Sequence, residues 1–309
     1  MPSPLTPNNH HLLTIFDVLK WTAAFFRQHD IQGGRIDAEV LLADVLKLKR
    51  IDLYLHYDKT LTGQELRHYQ RLIKRRIQRE PVAYILGLKE FWSLCFYVSK
   101  DVLIPRPETE CLVETTLKIA RDLNRSGPLR ILELGTGSGA IMIALANEMP
   151  THTFMATDLS VHAINVAKRN ECALLLDKRI NWMVGDWFEP IKGNDVNFDI
   201  IISNPPYIRK DIIKKLQPEI FLFEPMFALD GGADGLGCYR KIIPEAAKRL
   251  CRRGYLILEI GFDQKESIES IARDCGHFSS ISFKKDYSGH DRVAVLSLRA
   301  CLKTPSKTR

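Results

Sequence analysis

The chain has 309 residues, with 44 Lys and Arg against 37 Asp and Glu, a formal charge of +7 and a pI near 9.0. That length predicts about two domains, and 45% apolar with 26% charged residues is ordinary globular composition, which excludes wholesale disorder or a collagen-like fibre. The longest apolar run near the middle, Ala140–Ala146, falls far short of the ~18 to 20 residues of a membrane span, so the one compositional hint is the positive charge, which points first to nucleic acid or another acidic macromolecule.

The opening MPSPLTPNNHHLL lacks the basic segment and long apolar stretch of a signal peptide. Its first ten residues, like the closing LKTPSKTR, are polar and read as frayed ends. Between about 12 and 86 the pattern is helical. Thr14 with Asp17 makes a capping box ahead of Ile15, Phe16, Val18, Leu19, Ala23 and Phe26; DAEVLLADVL (Asp37 to Leu46) is strongly helix-forming; Thr62 with Glu65 caps a stripe of Leu66, Tyr69, Ile73 and Ile77 that Pro81 stops. The other side of that last helix carries Arg71, Lys74, Arg75, Arg76 and Arg79, read as a solvated face or as a contact surface for an anionic partner.

Residues 91–104, FWSLCFYVSKDVLI, alternate and are aromatic-rich, which predicts a short strand pair, and PRPETE (105–110) then punctuates the chain as a domain boundary. Beyond it the pattern becomes βα repeats. Candidate strands are Arg130–Leu134, Thr153–Thr157, Ile180–Val184, Phe198–Ser203 and Tyr255–Ile260, and a closing pair, Ile281–Lys284 and Arg292–Leu298, has no room for a helix between its members and should be antiparallel. The expected fold is α/β, a doubly wound and mostly parallel sheet behind a small helical bundle. Seven cysteines (95, 111, 172, 238, 251, 275 and 301) are odd in number, widely spaced and form no C-x-x-C pair. They predict small, buried, free thiols in a reducing cytoplasm, without a disulfide framework or zinc site. The nine histidines are scattered, only His10 and His11 adjoin, and no metal is expected.

Two motifs carry chemistry. In ILELGTGSGAIMIALA (131–146) a strand runs into Gly135, Thr136, Gly137, Ser138 and Gly139 and straight on into a helix. Glycines there tolerate a tight turn and let backbone approach a ligand at the carboxyl edge of the sheet. Asp158 ends the next strand, where a carboxylate can accept from both hydroxyls of an adenosine ribose. Because Gly135, Gly137 and Ala140 also satisfy the dinucleotide pattern, the loop alone leaves nicotinamide and S-adenosyl-L-methionine both open. The second motif decides between them. FDIIISNPPYI (198–208) ends a buried strand in Asn204-Pro205-Pro206-Tyr207. Proline has no N–H, so the turn is stiff and offers carbonyls without a competing donor. The Asn204 oxygen and the Pro205 carbonyl could hold both hydrogens of a planar NH2 group and aim its nitrogen at a methyl sulfonium, with Tyr207 adding an aromatic face. Such a nitrogen is a poor nucleophile, and two acceptors stabilise the positive charge that grows on it during attack. This points to N-methylation of planar NH2 groups without saying which.

Residues 131–139, Asp158 and NPPY resemble class I S-adenosylmethionine-dependent N-methyltransferases, with their Rossmann-like, mostly parallel seven-stranded sheet. More of the chain is similar to one family among them, the release factor glutamine methyltransferases (PrmC/HemK): RIDAEVLLADVL (35–46), EPVAYILG (80–87), LIPRPETE (103–110), EPMFALDGGADGL (224–236), YRKII (239–243), LEIG (258–261) and DRV (291–293). The resemblance spans roughly 12–299. It implies methyl transfer to the side-chain amide N5 of the glutamine in the GGQ loop of bacterial peptide-chain release factors. It also implies a helical substrate-recognition domain at 1–88, a β-hairpin linker at 89–110 and the methyltransferase domain at 111–309. Carried onto this chain, Gly135 to Gly139, Asp158 and Asn204 would bind the cofactor and Trp187, in GDWF, would lie against its adenine. Asn204, Pro205, Pro206 and Tyr207 would hold the glutamine, with catalysis resting on Asn204, Pro205 and Tyr207. Glu133 reads as a contact to the cofactor's methionine part or as a cap on nearby N–H groups, and Asp230 as a turn residue. The alternative is a DNA adenine or RNA base methyltransferase with the same clamp. It would need aromatic and basic residues interleaved for base stacking; the 12–86 segment instead suits gripping a protein, which disfavours direct nucleic-acid binding.

Overall fold

Both expected capping boxes form. In the computed structural model, which describes residues 13–299 except 124, 176, 178 and 194–196, the Thr14 and Asp17 side chains reciprocally cap α1 (Ile15–Gln28), and Thr62 and Glu65 cap α4 (Gly63–Ile77). The tail residues His10, His11 and Cys301 and the KTPSKTR end lie outside the described residues. α2 (Gly34–Leu46) begins three residues before the DAEVLLADVL stretch. Gly34 permits this because a Cβ there would stand 2.7 Å from the Phe26 Cβ, so only glycine allows the helix to start against α1. α3 (Arg50–Leu55) and α5 (Val82–Leu86) complete the bundle, Pro81 sitting at the start of α5 as a helix-stopping residue should. The bundle core contains Ile15, Val18, Phe26, Leu41, Leu42 and Tyr69, whose hydroxyl donates to the Ala38 carbonyl at 2.9 Å.

The chain separates into two units: residues up to Gly87 together with Gln217–Phe223, and Leu88–Leu216 together with everything from Glu224 on. The short helix Pro218–Phe223 therefore belongs to the helical unit. There it corrects the reading of α4 as a uniformly exposed basic face. Arg76 is only 5% exposed, its Nε donating to Asp37 at 2.8 Å and its Nη2 to Glu219 at 2.9 Å. Arg79 reaches the other Glu219 oxygen at 2.8 Å, and Arg75 forks onto Glu80 at 2.7 and 2.8 Å. Only Arg71 and Lys74 of the five are exposed.

The second unit opens with a hairpin, β1 (Leu88–Phe91) and β2 (Leu94–Tyr97), so the strand pair starts three residues ahead of the predicted 91–104 segment and ends at Tyr97. Its turn residues Trp92 and Ser93 both have positive φ, as a two-residue hairpin turn demands. Neither is a turn-former. Long-range bonds hold Trp92: its N–H donates to Glu110 and its indole N–H to Glu148, each at 2.9 Å.

Seven strands form the main sheet: β3 (Arg130–Leu134), β4 (Thr153–Asp158), β5 (Ile180–Val184), β6 (Phe198–Ser203), β7 (Leu250–Glu259), β8 (Phe278–Lys285) and β9 (Asp291–Leu298), in the order β5-β4-β3-β6-β7-β9-β8. All neighbours are parallel except β7–β9 and β8–β9, the expected antiparallel pair. β7 starts five residues before the predicted Tyr255. A register shift against β6 and a positive φ at Arg253 let the chain pair on both sides of an irregularity that reads in sequence as a turn. Helices α6 (Glu110–Asp122), α7 (Ala140–Glu148) and α8 (Val161–Leu174) cover one face. Past the short helices α9 (Lys210–Ile213) and α10 (Pro218–Phe223), Tyr239, Ile242 and Ile243 of α11 (Gly237–Arg249) and Ile268 of α12 (Lys265–Cys275) pack on the other. This is the doubly wound arrangement, with strand order reversing between β3 and β6. The six described cysteines are free, but only Cys111 is buried, while Cys95 and Cys172 are exposed, so the expectation of buried thiols holds for one of them. Among the described residues no helix is long and apolar enough to cross a membrane, and no cluster of three His, Cys, Asp or Glu could hold a metal ion.

Candidate active site

Strand register brings the two motifs together. Leu134 pairs with Ser203, so Gly135 and Asn204 leave the sheet side by side at the β3–β6 reversal, and the Ser203 hydroxyl donates to the Leu134 carbonyl at 2.8 Å. Asp158 pairs with Val184, so the turn that carries Trp187 begins beside that carboxylate. A doubly wound sheet collects ligands at this edge.

The loop glycines divide the work. At Gly137 (φ +56°) a Cβ would meet nothing, because the residue faces open space, while its N–H donates to Asp158 at 2.8 Å. At Gly139 a Cβ would press on Ala167 at 3.0 Å and Ile143 at 3.1 Å; this glycine lets α7 pack closely and does not line the cleft. The second Asp158 oxygen accepts from the Ser160 N–H at 2.9 Å, and burial, against those two N–H groups, raises its pKa. Glu133 is 1% exposed. One of its oxygens accepts from the Thr136 hydroxyl at 2.6 Å and the other makes no hydrogen bond, and burial pushes its pKa up to about 8.

The cleft contains about 960 Å3 of empty space, open solvent at its mouth included. Of the residues anticipated from sequence, Gly135, Thr136, Gly137, Ser138, Asp158, Trp187, Asn204 and Pro206 line it; Gly139, Pro205 and Tyr207 do not. Tyr207 turns its hydroxyl to Glu259 at 3.3 Å, and burial next to that carboxyl raises the phenol's pKa. The Asn204 amide nitrogen donates to the Thr109 hydroxyl at 3.3 Å. Sequence reasoning missed Thr109, Leu159, Asp186 and Phe227, which also line the cleft; Asp186 adjoins Trp187 and Phe227 lies in the EPMFALDGG stretch, but no spacing rule ties either to the glycine loop. Arg106 lines it too and pairs with the buried Glu224 at 2.5 Å. The LDGG stretch backs the clamp. A Cβ at Gly231 would come within 2.8 Å of the Tyr207 backbone, and Asp230 caps its own turn by accepting from the Gly232 N–H at 2.8 Å.

Comparison with known proteins names the family. The PrmC N-terminal domain matches residues 17–87 and the methyltransferase small domain matches 112–232. A release factor glutamine methyltransferase of Agrobacterium fabrum is 42% identical over 259 residues, 84% of this chain and 88% of that protein. Another, of Geobacter sulfurreducens, is 40% identical over 280 residues, 91% of this chain and 95% of that protein. This chain belongs to the release factor glutamine methyltransferase family. The fold agrees: the N-terminal domain of human METTL16, solved in complex with SAH, superposes with a TM-score of 0.51 at 17% identity, over 83% of this chain and 93% of that one. As a member of this family the protein is a methyltransferase that uses S-adenosyl-L-methionine. The cleft suits that molecule: Glu133 offers an unpaired, fully buried carboxyl oxygen, Gly137 leaves room where any other residue would intrude, and Asp158 keeps lone pairs for hydroxyls.

Proposed function

We propose that this protein transfers a methyl group from S-adenosyl-L-methionine to the side-chain amide N5 of the glutamine in the GGQ motif of peptide-chain release factors, in the cytoplasm. The observation that supports the reading is the Leu134–Ser203 register, which brings the Asn204 end of the clamp beside the glycine loop. Gly135 to Ser138, Asp158 and Trp187 would hold the cofactor, which when bound supplies a methyl group on a positively charged sulfur. Asn204 Oδ1 and the Pro205 carbonyl would each accept one hydrogen of the glutamine amide. That orients the nitrogen lone pair and stabilises the charge the nitrogen gains as its bond to carbon forms. The sulfur keeps the electron pair of the broken bond, and the amide releases one proton to water. Residues 1–88 would recognise the release factor, 89–110 would connect, and 111–309 would carry the chemistry; the substrate is a protein and no step calls for nucleic acid or metal.

The test incubates the protein with methyl-labelled cofactor and, in parallel, a release factor, its GGQ→GGA variant, duplex DNA and tRNA. Label is expected in the intact release factor alone; label in DNA or tRNA instead would overturn the reading. Asn204→Ala should abolish transfer and leave cofactor affinity nearly unchanged.

A further inference from the structure

Glu259 ends β7 behind the clamp, 1% exposed and outside the cleft lining. It meets the Tyr207 end of NPPY directly and neighbours Thr109, the partner of Asn204 at the other end. One oxygen faces the Tyr207 hydroxyl at 3.3 Å. The Thr109 hydroxyl, which accepts from the Asn204 amide at 3.3 Å, adjoins the carboxyl, whose second oxygen is buried and makes no hydrogen bond. Its backbone carbonyl accepts from the Tyr239 hydroxyl at 2.8 Å, which anchors the residue at the strand end.

We propose that Glu259 is a positioning residue for methyl transfer: as an acceptor-only group it fixes the direction of the Asn204–Thr109–Glu259–Tyr207 chain, and so keeps the Asn204 oxygen turned toward the substrate amide. The proposal rests on the function argued above. An ionised carboxylate can only accept, so Tyr207 gives it its single proton and the unpartnered second oxygen draws that of Thr109. Thr109 then has only lone pairs left for Asn204, and the Asn204 amide must present its NH2 to them. An amide's two ends are told apart by their hydrogen bonds, so Oδ1 is left for the cleft. Proline acceptors need no such control; asparagine does, because a flipped Asn204 would meet a substrate NH2 with an NH2.

Glu259→Gln inserts a donor into the chain. Thr109 can then accept from the new amide and donate to Asn204, which flips. The groups around the carboxyl are Glu108 beside Thr109, Cys111 of α6, Tyr207, Tyr239 of α11 and Arg292 of β9. Burial raises its pKa to about 7, against Thr109, Arg292 and Tyr207, which lower it. The ionised form is therefore lost below neutrality, and wild-type kcat should fall as pH drops through about 7.

The experiment measures kcat, KM and cofactor affinity on release factor for the wild type and for Glu259→Gln, Thr109→Val, Thr109→Ser and Asn204→Ala, with pH profiles. Glu259→Gln and Thr109→Val should each lower kcat by about 100-fold, as small misplacements of reacting groups do. Cofactor affinity should stay at the wild-type value, Thr109→Ser should remain active, and the acidic limb of the profile should disappear in Glu259→Gln. Wild-type kcat in Glu259→Gln, or equal activity in Thr109→Val and Thr109→Ser, would overturn the proposal. The threonine pair decides the matter if the glutamine variant does not fold. An active wild type with an inactive Asn204→Ala keeps the function standing whichever way Glu259 falls, whereas a wild type that never labels release factor removes both.

Discussion

Glu133 shows how a single buried group can couple the cleft to pH. Its carboxyl lies on the cleft wall with one oxygen unpaired, and burial raises its pKa from the ordinary 4.5 to about 8. A carboxyl whose pKa is raised by folding holds its proton more tightly in the folded chain. Its contribution to stability is complete below pH 4.5 and is lost as pH rises through about 8. Glu133→Gln cannot lose a proton, so its Tm relative to wild type, measured without cofactor, should increase between pH 5 and pH 9. A difference that stays constant would mean the carboxyl ionises freely. At this scale much of the site was legible. Asn204, Asp158 and the first two loop glycines carry their chemistry in their identity and their place at strand ends. Thr109 and Glu259 do not: they lie 95 and 55 positions from Asn204 in numbering, and only the folded sheet brings them to it. Gly139 was legible as a required glycine but not for the right reason, since packing against Ala167, rather than ligand approach, excludes a side chain.

Helix α4 illustrates what pattern can and cannot reveal about an element. Its caps and apolar stripe follow from local spacing, and both appear as expected. Which of its cations meet water does not, because Arg76 finds Asp37 39 residues away and Glu219 143 residues away. Arg76→Met would leave Asp37 without its partner and Glu219 with Arg79 alone, and should destabilise the protein by about 3 kcal/mol, measured by denaturant unfolding. Reversing Arg75 and Arg76 together would therefore damage the bundle before it reported on any docking surface. The informative substitution is Arg71→Glu with Lys74→Glu, both exposed, which should change stability by no more than about 0.5 kcal/mol. If this face meets an acidic region of the release factor, KM rises with kcat unchanged; an unchanged KM would leave it merely solvated. The β1–β2 hairpin makes the same point from the other side. Trp92-Ser93 is no turn signal, and Glu110 and Glu148 hold Trp92 at positive φ from outside the segment.

Across the whole molecule, alternating strands and helices foretold the doubly wound sheet, and all seven predicted strands are present. Their order was not written in the alternation, since β6 lies next to β3 only after two strands have been laid down on its other side. Nor was the path of the segment after the clamp. The chain passes between its two units three times, at 87–88, 216–217 and 223–224. Such a molecule cannot be cut into its parts at one peptide bond. A fragment beginning at Leu88 would keep the whole sheet yet carry Pro218–Phe223 as an orphan, with Glu219 deprived of Arg76 and Arg79 and with Leu222 already exposed in the intact chain. Expressed alone, that fragment should aggregate or lose its cofactor, while the same fragment with 217–223 replaced by a short Gly-Ser linker should stay monomeric on size-exclusion chromatography. Equal behaviour of the two would show that the loop is free to leave. For engineering or evolution, the helical unit is therefore less a detachable module than a stitched one: a domain swapped between relatives must bring seven residues from the middle of its neighbour's sequence along with it.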